Sequence, residues 1–259
     1  YEAKKALNFE KAPWFIFMQL MDHHDGAKTS RYLNFLNKLK FLPKLYRIRK
    51  KFPTHRDLWR DLSLIYLDRK IGDFFKILKK NEIFDNTLFY IFGDHGMGWD
   101  HSRGSALMGN LGLRTHYEHI EVPLLIYPSM KKPSEKGMHD GMSVSATLIE
   151  ELDLKKHNSF TGRSIYKEGK FGSIVESVGR GNCDVINRDL FFTVTTRNYK
   201  IMFILAGSIL QPVKLYNKVM DPKEYENLLE YGMEKKIVDD LAIFLVKERS
   251  NLLKKRKVD

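Results

Sequence analysis

Apolar residues in this chain gather in short runs that stop abruptly at polar clusters. Trp14 to Leu20 is almost continuously apolar and ends at Asp22-His23-His24-Asp25-Gly26, the pattern of a buried strand whose C-terminal end opens into a loop. Thr87 to Phe92 repeats it, ending at Gly93-Asp94-His95-Gly96, and Val122 to Tyr127 is a third such run, stopped by Pro128. From Asp57 to Lys80, Leu58, Leu62, Ile65, Ile71, Phe75 and Leu78 approximate helical spacing and predict one long amphipathic helix. A basic, partly helical stretch covers Ser30 to Lys51, after which Pro53 breaks the chain and Thr54 stands ready to cap a helix. Strands alternating with helices predict a mostly parallel sheet, with ligands collected at the C-terminal strand ends. The clusters around His24 and Asp94 are then expected on one face. Asp100 to Glu121 has no clear period, as expected of a long functional loop.

Past a predicted helix at Ser145 to Leu152 the pattern changes. Leu190 to Thr196 and Lys200 to Leu205 read as a hairpin of exposed strands around Arg197-Asn198-Tyr199, followed by a short strand at Val213 to Tyr216 and a turn at Asp221-Pro222. Glu224 to Lys254 reads as one or two closing helices. A boundary near Phe171 divides the chain into residues 1–170, α/β in character, and 171–259, a small subdomain with antiparallel strands.

Composition adds limits. Of the 259 residues, 43% are hydrophobic, enough to bury a sizeable core, and no apolar run approaches the roughly 20 residues that cross a bilayer. The net charge of +12 fits either a polyanionic partner or a lysine-rich solvated surface. No nucleic-acid motif accompanies it. The closing Lys254-Lys255-Arg256-Lys257 resembles a nuclear-import signal but equally an ordinary basic tail. Cys183 is the only cysteine, which excludes an intrachain disulfide and a thiolate-rich metal site. Tyr1 to Lys11 shows no signal-peptide pattern and reads as the later part of a helix running into a strand, an expectation that sequence lies upstream and that slightly favours the cytoplasm.

Asp94-His95 is the sharpest chemical feature. A carboxylate and an imidazole on one tight turn can converge on a divalent ion, and Gly93 and Gly96 leave the backbone free to make that turn. The same pair also occurs in solvated turns, and spacing alone leaves both readings open.

Further strings, in order, carry a resemblance. Trp14 to Asp25 is similar to the strand and loop that in sulfatases ends Met-Asp-Pro-His-Asp-Pro; Ile65-Tyr66-Leu67-Asp68 with Ile71-Gly72 resembles the helix before their metal strand; Phe89 to Gly96 resembles their Asp-His-Gly turn. Tyr117-Glu118 through Val122-Pro123-Leu124 is similar to their Tyr-Glu-Glu-x-x-x-Val-Pro-Leu segment, and Thr161-Gly162-Arg163-Ser164 to their Asp-Gly-Arg-Ser turn. Arg197-Asn198-Tyr199-Lys200, Leu215-Tyr216 and Asp221-Pro222-Lys223-Glu224 before Asn227-Leu228 resemble their C-terminal subdomain. The resemblance to the sulfatase family, within the alkaline phosphatase superfamily, implies a sandwiched mixed sheet, incomplete here, with a small antiparallel C-terminal subdomain. It implies a divalent metal, Ca2+ first with Mg2+, Mn2+ or Zn2+ as alternatives, held in part by Asp94 and His95. It also implies hydrolysis of a small-molecule or glycan sulfate ester by a hydrated formylglycine made from Cys or Ser.

By the same resemblance His24 matches a histidine near the sulfate, where it stabilises charge or protonates the leaving oxygen; as a plain loop histidine it would pair with a neighbouring carboxylate. Leu113 stands where the family often has Lys, and Arg114 beside it, with Thr115 and His116, makes a variant anion-binding set or a charged loop surface. Gln19 replaces another family histidine. His101 is a further pocket candidate, whereas His55, His139 and His157 read as solvent-facing. The nucleophile motif Cys/Ser-x-Pro-x-Arg is absent, and Cys183 lacks the required Pro and Arg; the chain alone is expected to be inactive. A phosphomonoester, phosphodiester or phosphonate hydrolase of the same superfamily is the nearest rival, and a non-catalytic anion-binding protein is a rival of another class.

Overall fold

The structure, a computed structural model, describes residues 13–20, 35–51, 58–96, 115–129, 131–158, 160–178, 190–232 and 234–255. The chain divides into two compact units, Tyr1–Thr87 and Leu88–Asp259.

In the first unit, helices α1 (Phe35–Lys51) and α2 (Leu58–Lys80) form a hairpin. Phe41 and Leu45 of α1 are buried against Leu62 and Ile65 of α2, with Ile48 and Tyr66 at the margin. An ion pair between Lys44 and Asp68 links the two helices, and Arg49 Nε lies 3.8 Å from Asp61 Oδ2. Beyond α2 the chain folds back, Ile83 donating its N–H to the Leu78 carbonyl (3.1 Å), and the Phe84 ring meets Phe75 edge to face at 5.3 Å. The apolar period thus identifies α2 to within a residue at its start. Trp14 to Leu20, expected as a strand, is instead irregular, with Phe15 76% and Phe17 72% exposed. A strand exists only through pairing in a ladder, and this segment belongs to neither of the two sheets among the described residues.

In the second unit, β1 (Phe89–Phe92) and β2 (Leu124–Tyr127) pair antiparallel, Phe92 opposite Leu124 and Phe89 opposite Tyr127. The parallel arrangement expected for these strands is corrected. A parallel pair needs a crossover, usually a helix, and the described part of this connection contains one helical turn, α3 (Tyr117–Ile120). Antiparallel pairing returns the chain beside the end of β1, so residues 116–123 arrive next to Gly93–Gly96. Helix α4 (Met142–Glu151) starts three residues before the expected Ser145. Its Glu151 accepts hydrogen bonds from Tyr90 of β1 and from Tyr166, and Thr147 Oγ1 accepts the Ile165 N–H at 3.0 Å.

Strands β3 (Ser173–Val178), β4 (Leu190–Thr195), β5 (Tyr199–Ala206) and β6 (Ile209–Asn217) form an antiparallel meander, and α5 (Lys235–Lys255) packs on it. Phe192, Val194, Ile201, Phe203 and Leu215 point to one face and meet Leu241 and Leu245 of α5. Phe191, Met202 and Tyr216 point to the other. The hairpin read as exposed is therefore buried on both faces: Phe191 to Thr195 are all buried. The run Phe191-Phe192-Thr193-Val194 supplies apolar side chains to both sides, as a covered strand requires.

Because Leu245 is 2% exposed within this cluster, Leu245→Ala should lower the stability of the C-terminal sheet by about 3 kcal/mol. Denaturant titration followed by amide exchange of β4 and β5 reads this out.

Candidate functional site

The turn after β1 is fixed on both flanks. Gly93 donates its N–H to the Pro123 carbonyl at 3.3 Å, and Gly96 donates to the His119 carbonyl at 2.8 Å. A Cβ on Gly96 would lie 2.0 Å from the Glu118 carbonyl oxygen, far inside contact distance. Glycine is required there because α3 crosses directly over the turn.

Between these glycines Asp94 and His95 project outward, their side chains 72% and 58% exposed. Asp94 Oδ1 accepts the His95 N–H at 2.9 Å, which sets the carboxylate across the turn. His95 Nδ1 lies 2.7 Å from the Gly96 carbonyl oxygen. A carbonyl only accepts, so Nδ1 is the donor in this contact; in a neutral ring that leaves the lone pair on Nε2, the arrangement metal-ligating histidines commonly show. Nε2 stands 3.9 Å from Asp94 Oδ2, a separation that two atoms on one ion can keep when each bond is about 2.0–2.4 Å. The donor chemistry of this turn fits a divalent cation. Among the described residues no group of three or more His, Cys, Asp or Glu assembles as a ligand set, so the turn offers two ligands and the remainder would come from elsewhere.

The second feature is buried. His116 precedes α3, and its Nδ1 lies 3.0 Å from Glu224 Oε2, which also accepts the Tyr117 N–H at 3.2 Å. Glu224 Oε1 accepts from Lys200 Nζ at 2.8 Å, and both of these side chains are wholly buried. Burial by itself pushes the Glu224 carboxyl up, but the hydrogen bond from His116 and the charge and hydrogen bond of Lys200 outweigh it and hold the group below its ordinary value. Burial pulls the Lys200 ammonium down to about 8 against the opposing pull of Glu224. Beside this network Thr193 Oγ1 donates to Thr115 Oγ1 at 2.7 Å, and the His116 and Tyr216 rings lie 5.9 Å apart. Residues 115–117 are in this way sealed onto the second face of the C-terminal sheet.

The structure thus joins Asp94, His95 and His116 through one short segment: Gly96 donates to His119, and His119 donates to His116, each at 2.8 Å. His116 is buried and held by Glu224, whereas Asp94 and His95 face outward. His24, Arg114, His101 and His55 lie outside the described residues. His139, read as solvent-facing, has both ring nitrogens buried; His157 is exposed. Sequence reasoning gave no role to Lys200 or Glu224. The available signals were a lone lysine inside the apolar run Tyr199 to Leu205 and a glutamate closing the Asp221-Pro222 turn, where Glu224 adopts φ 59°.

Residues 2–156 match the family model described as Sulfatase. The chain belongs to the sulfatase family. It is 35% identical over 202 residues to lipoteichoic acid synthase 1 of Bacillus subtilis (strain 168), an alignment covering 66% of this chain and 30% of that protein. A solved structure in complex with its substrate D-glucosamine-2-N,6-O-disulfate superposes with a TM-score of 0.58 at 16% identity, covering 90% of this chain and 50% of the other. A 2-O GAG sulfatase gives 0.56 at 18% identity, covering 77% and 43%. The chain spans about half or less of the length of these relatives. The fold is the alkaline-phosphatase-like fold of sulfatases.

Three substitutions test these contacts. Gly96→Ala should cost about 1–3 kcal/mol through overpacking against Glu118, read as a lowered denaturation midpoint with shifted amide resonances at residues 117–120. Glu224→Gln removes the charge facing the Lys200 ammonium and should cost about 3–5 kcal/mol near neutral pH. The sign with pH follows from proton binding. Lys200 in the unfolded chain holds its proton up to its ordinary 10.5, while in the fold it releases it from about 8; the unfolded state therefore binds more protons in that window and stability rises with pH across it. The depressed Glu224 carboxyl has the opposite edge, its contribution being lost as pH falls below the ordinary 4.5. Lys200→Met should flatten the alkaline rise in a pH series of unfolding curves.

Proposed function

We propose that this chain supplies part of the metal and substrate site of a sulfuric ester hydrolase. The observation that carries the reading is the Asp94-His95 turn, whose glycine flanks, locked tautomer and outward lone pair suit a cation ligand pair at a strand end. In this reading Asp94 and His95 hold a divalent ion, Ca2+ by family resemblance, with Mg2+, Mn2+ or Zn2+ also compatible with a carboxylate and an imidazole. When bound, the ion supplies charge neutralisation for the sulfate group and the nucleophile. Arg114 binds ester oxygens through its guanidinium. His24 gives a proton to the leaving alcohol oxygen, so that R–O–SO3− and water become ROH and hydrogen sulfate. His116, anchored by Glu224, belongs with Arg114 to the same anion-binding set. Residues 1–170 form the C-terminal part of the catalytic domain and 171–259 its closing subdomain. The nucleophile is supplied by sequence outside this chain, and the substrate is a small-molecule or glycan sulfate ester.

A second reading is favoured by one comparison. The relative at 35% identity is named a lipoteichoic acid synthase rather than a sulfatase, and phosphoester chemistry of the same superfamily is the alternative reaction.

The deciding experiment reads the gene upstream of the Tyr1 codon and expresses the longest open frame with arylsulfate, arylphosphate and bis-aryl phosphate substrates. Cys/Ser-x-Pro-x-Arg with sulfate release supports the first reading. A Thr or Ser nucleophile with phosphate release supports the second, and an upstream region without a nucleophile leaves an anion-binding protein. In an active protein, Asp94→Asn and His95→Ala should each lower kcat/KM at least about 100-fold. A chelator should abolish turnover, and titration with each metal should identify the one that restores it.

A further inference from the structure

The second unit holds a cleft of about 380 Å3 between the C-terminal half of α5, strand β3 and the residues around Asp140 and Lys170. None of its lining residues belongs to the Asp94-His95 turn or to the Glu224 network. On α5, Phe244 and Leu252 flank Glu248 at i−4 and i+4, so the three form one row along the helix. On β3, Ile174 and Glu176 stand two apart on the same side of the strand, opposite Val194 and Phe192. A carboxylate thus projects into the cleft from the middle of an apolar row.

Five charged side chains line the cleft, and four of them are matched. Lys170 Nζ lies 3.6 Å from Asp140 Oδ2. Arg249 donates Nε to Glu176 Oε1 at 3.0 Å, and its guanidinium lies over the Phe192 ring, 5.3 Å from the centroid. Glu248 is the fifth. It is half-buried, and among the described residues it has neither a hydrogen bond nor an ion pair for its side chain. In a chain of net charge +12 this cleft carries one surplus negative charge, placed where water is partly excluded and a counter-charge is worth most.

We infer that the cleft binds a hydrophobic ammonium, a small cation whose charged head pairs with Glu248 and whose apolar body lies along Ile174, Phe244 and Leu252. The existing pairs select this class. An anionic ligand would have to take Lys170 from Asp140 or Arg249 from Glu176, and would leave the released carboxylate beside Glu248. A neutral apolar ligand covers the wall but leaves Glu248 without a partner in a drier place. A cation breaks neither pair and supplies the missing charge. The volume is that of a small-molecule site, and the binding is independent of the ester chemistry proposed above.

The test uses three probes of one length, n-hexylammonium, n-hexanol and n-hexanoate, titrated to about 10 mM into the 259-residue chain and followed by calorimetry and amide chemical shifts. Hexylammonium is expected to bind at least about tenfold more tightly than either control, with shifts at residues 140, 170–176 and 244–252. Glu248→Gln keeps the side-chain shape and should weaken hexylammonium at least about tenfold without changing hexanol. Glu226→Gln removes the same charge from an exposed position and should leave all three unchanged. No saturable binding of hexylammonium, equal or tighter binding of hexanol or hexanoate, an undiminished affinity in Glu248→Gln, or shifts confined to other residues would each overturn the inference. An equal loss in Glu226→Gln would do so too, because it would assign the effect to net charge.

Discussion

The carboxylate of Glu224 is the interaction on which the second unit turns. It is wholly buried and receives Lys200 from the C-terminal sheet, and His116 and the Tyr117 amide from the start of α3. A buried carboxylate is costly unless every oxygen is bonded and its charge is matched. Here Oε1 takes the ammonium and Oε2 takes two N–H donors, so the arrangement is stable only when three separated stretches of chain are simultaneously in place. Residues 116–120 inherit that constraint, and the Asp-His-Gly turn inherits it in turn through the Gly96 hydrogen bond.

This chain of dependence explains why the residues nearest the proposed chemistry differ so much in exposure. Asp94 and His95 stand in solvent, fixed by local hydrogen bonds, as the proposed contact with a ligand requires. His116 is fixed by burial and by charge. The sheet that carries Lys200 can accept an ammonium in its interior because its two faces are packed by different partners: α5 with Leu241 and Leu245 on one, Thr115 and His116 on the other.

Much of this was legible in the sequence, for identifiable reasons. The long period of α2 and the apolar runs of β1, β2, β4 and β5 are signals that packing reinforces. The Gly93-Asp94-His95-Gly96 string reported a tight turn because glycine has few other reasons to flank such a pair. The direction of pairing was not legible: β1 and β2 look the same in sequence whether they run parallel or antiparallel, and only the shape of the connection decides. Nor was the burial of Lys200 and His116, since each is tolerated only through a partner far along the chain, at Glu224, and single-residue hydropathy carries no record of partners. Trp14 to Leu20 has strand composition without strand structure because pairing belongs to two segments and composition to one.

The close passage of α3 over Gly96 has a mechanical consequence. With no side chain between them, the turn and the helix are in backbone contact, and a force on Asp94 or His95 is transmitted to residues 116–120 with almost no slack. The pair and its neighbouring segment form a single rigid jaw whose two halves cannot drift apart by thermal motion of side chains alone. Whatever seats itself on the turn therefore meets a surface whose spacing was set when the chain folded.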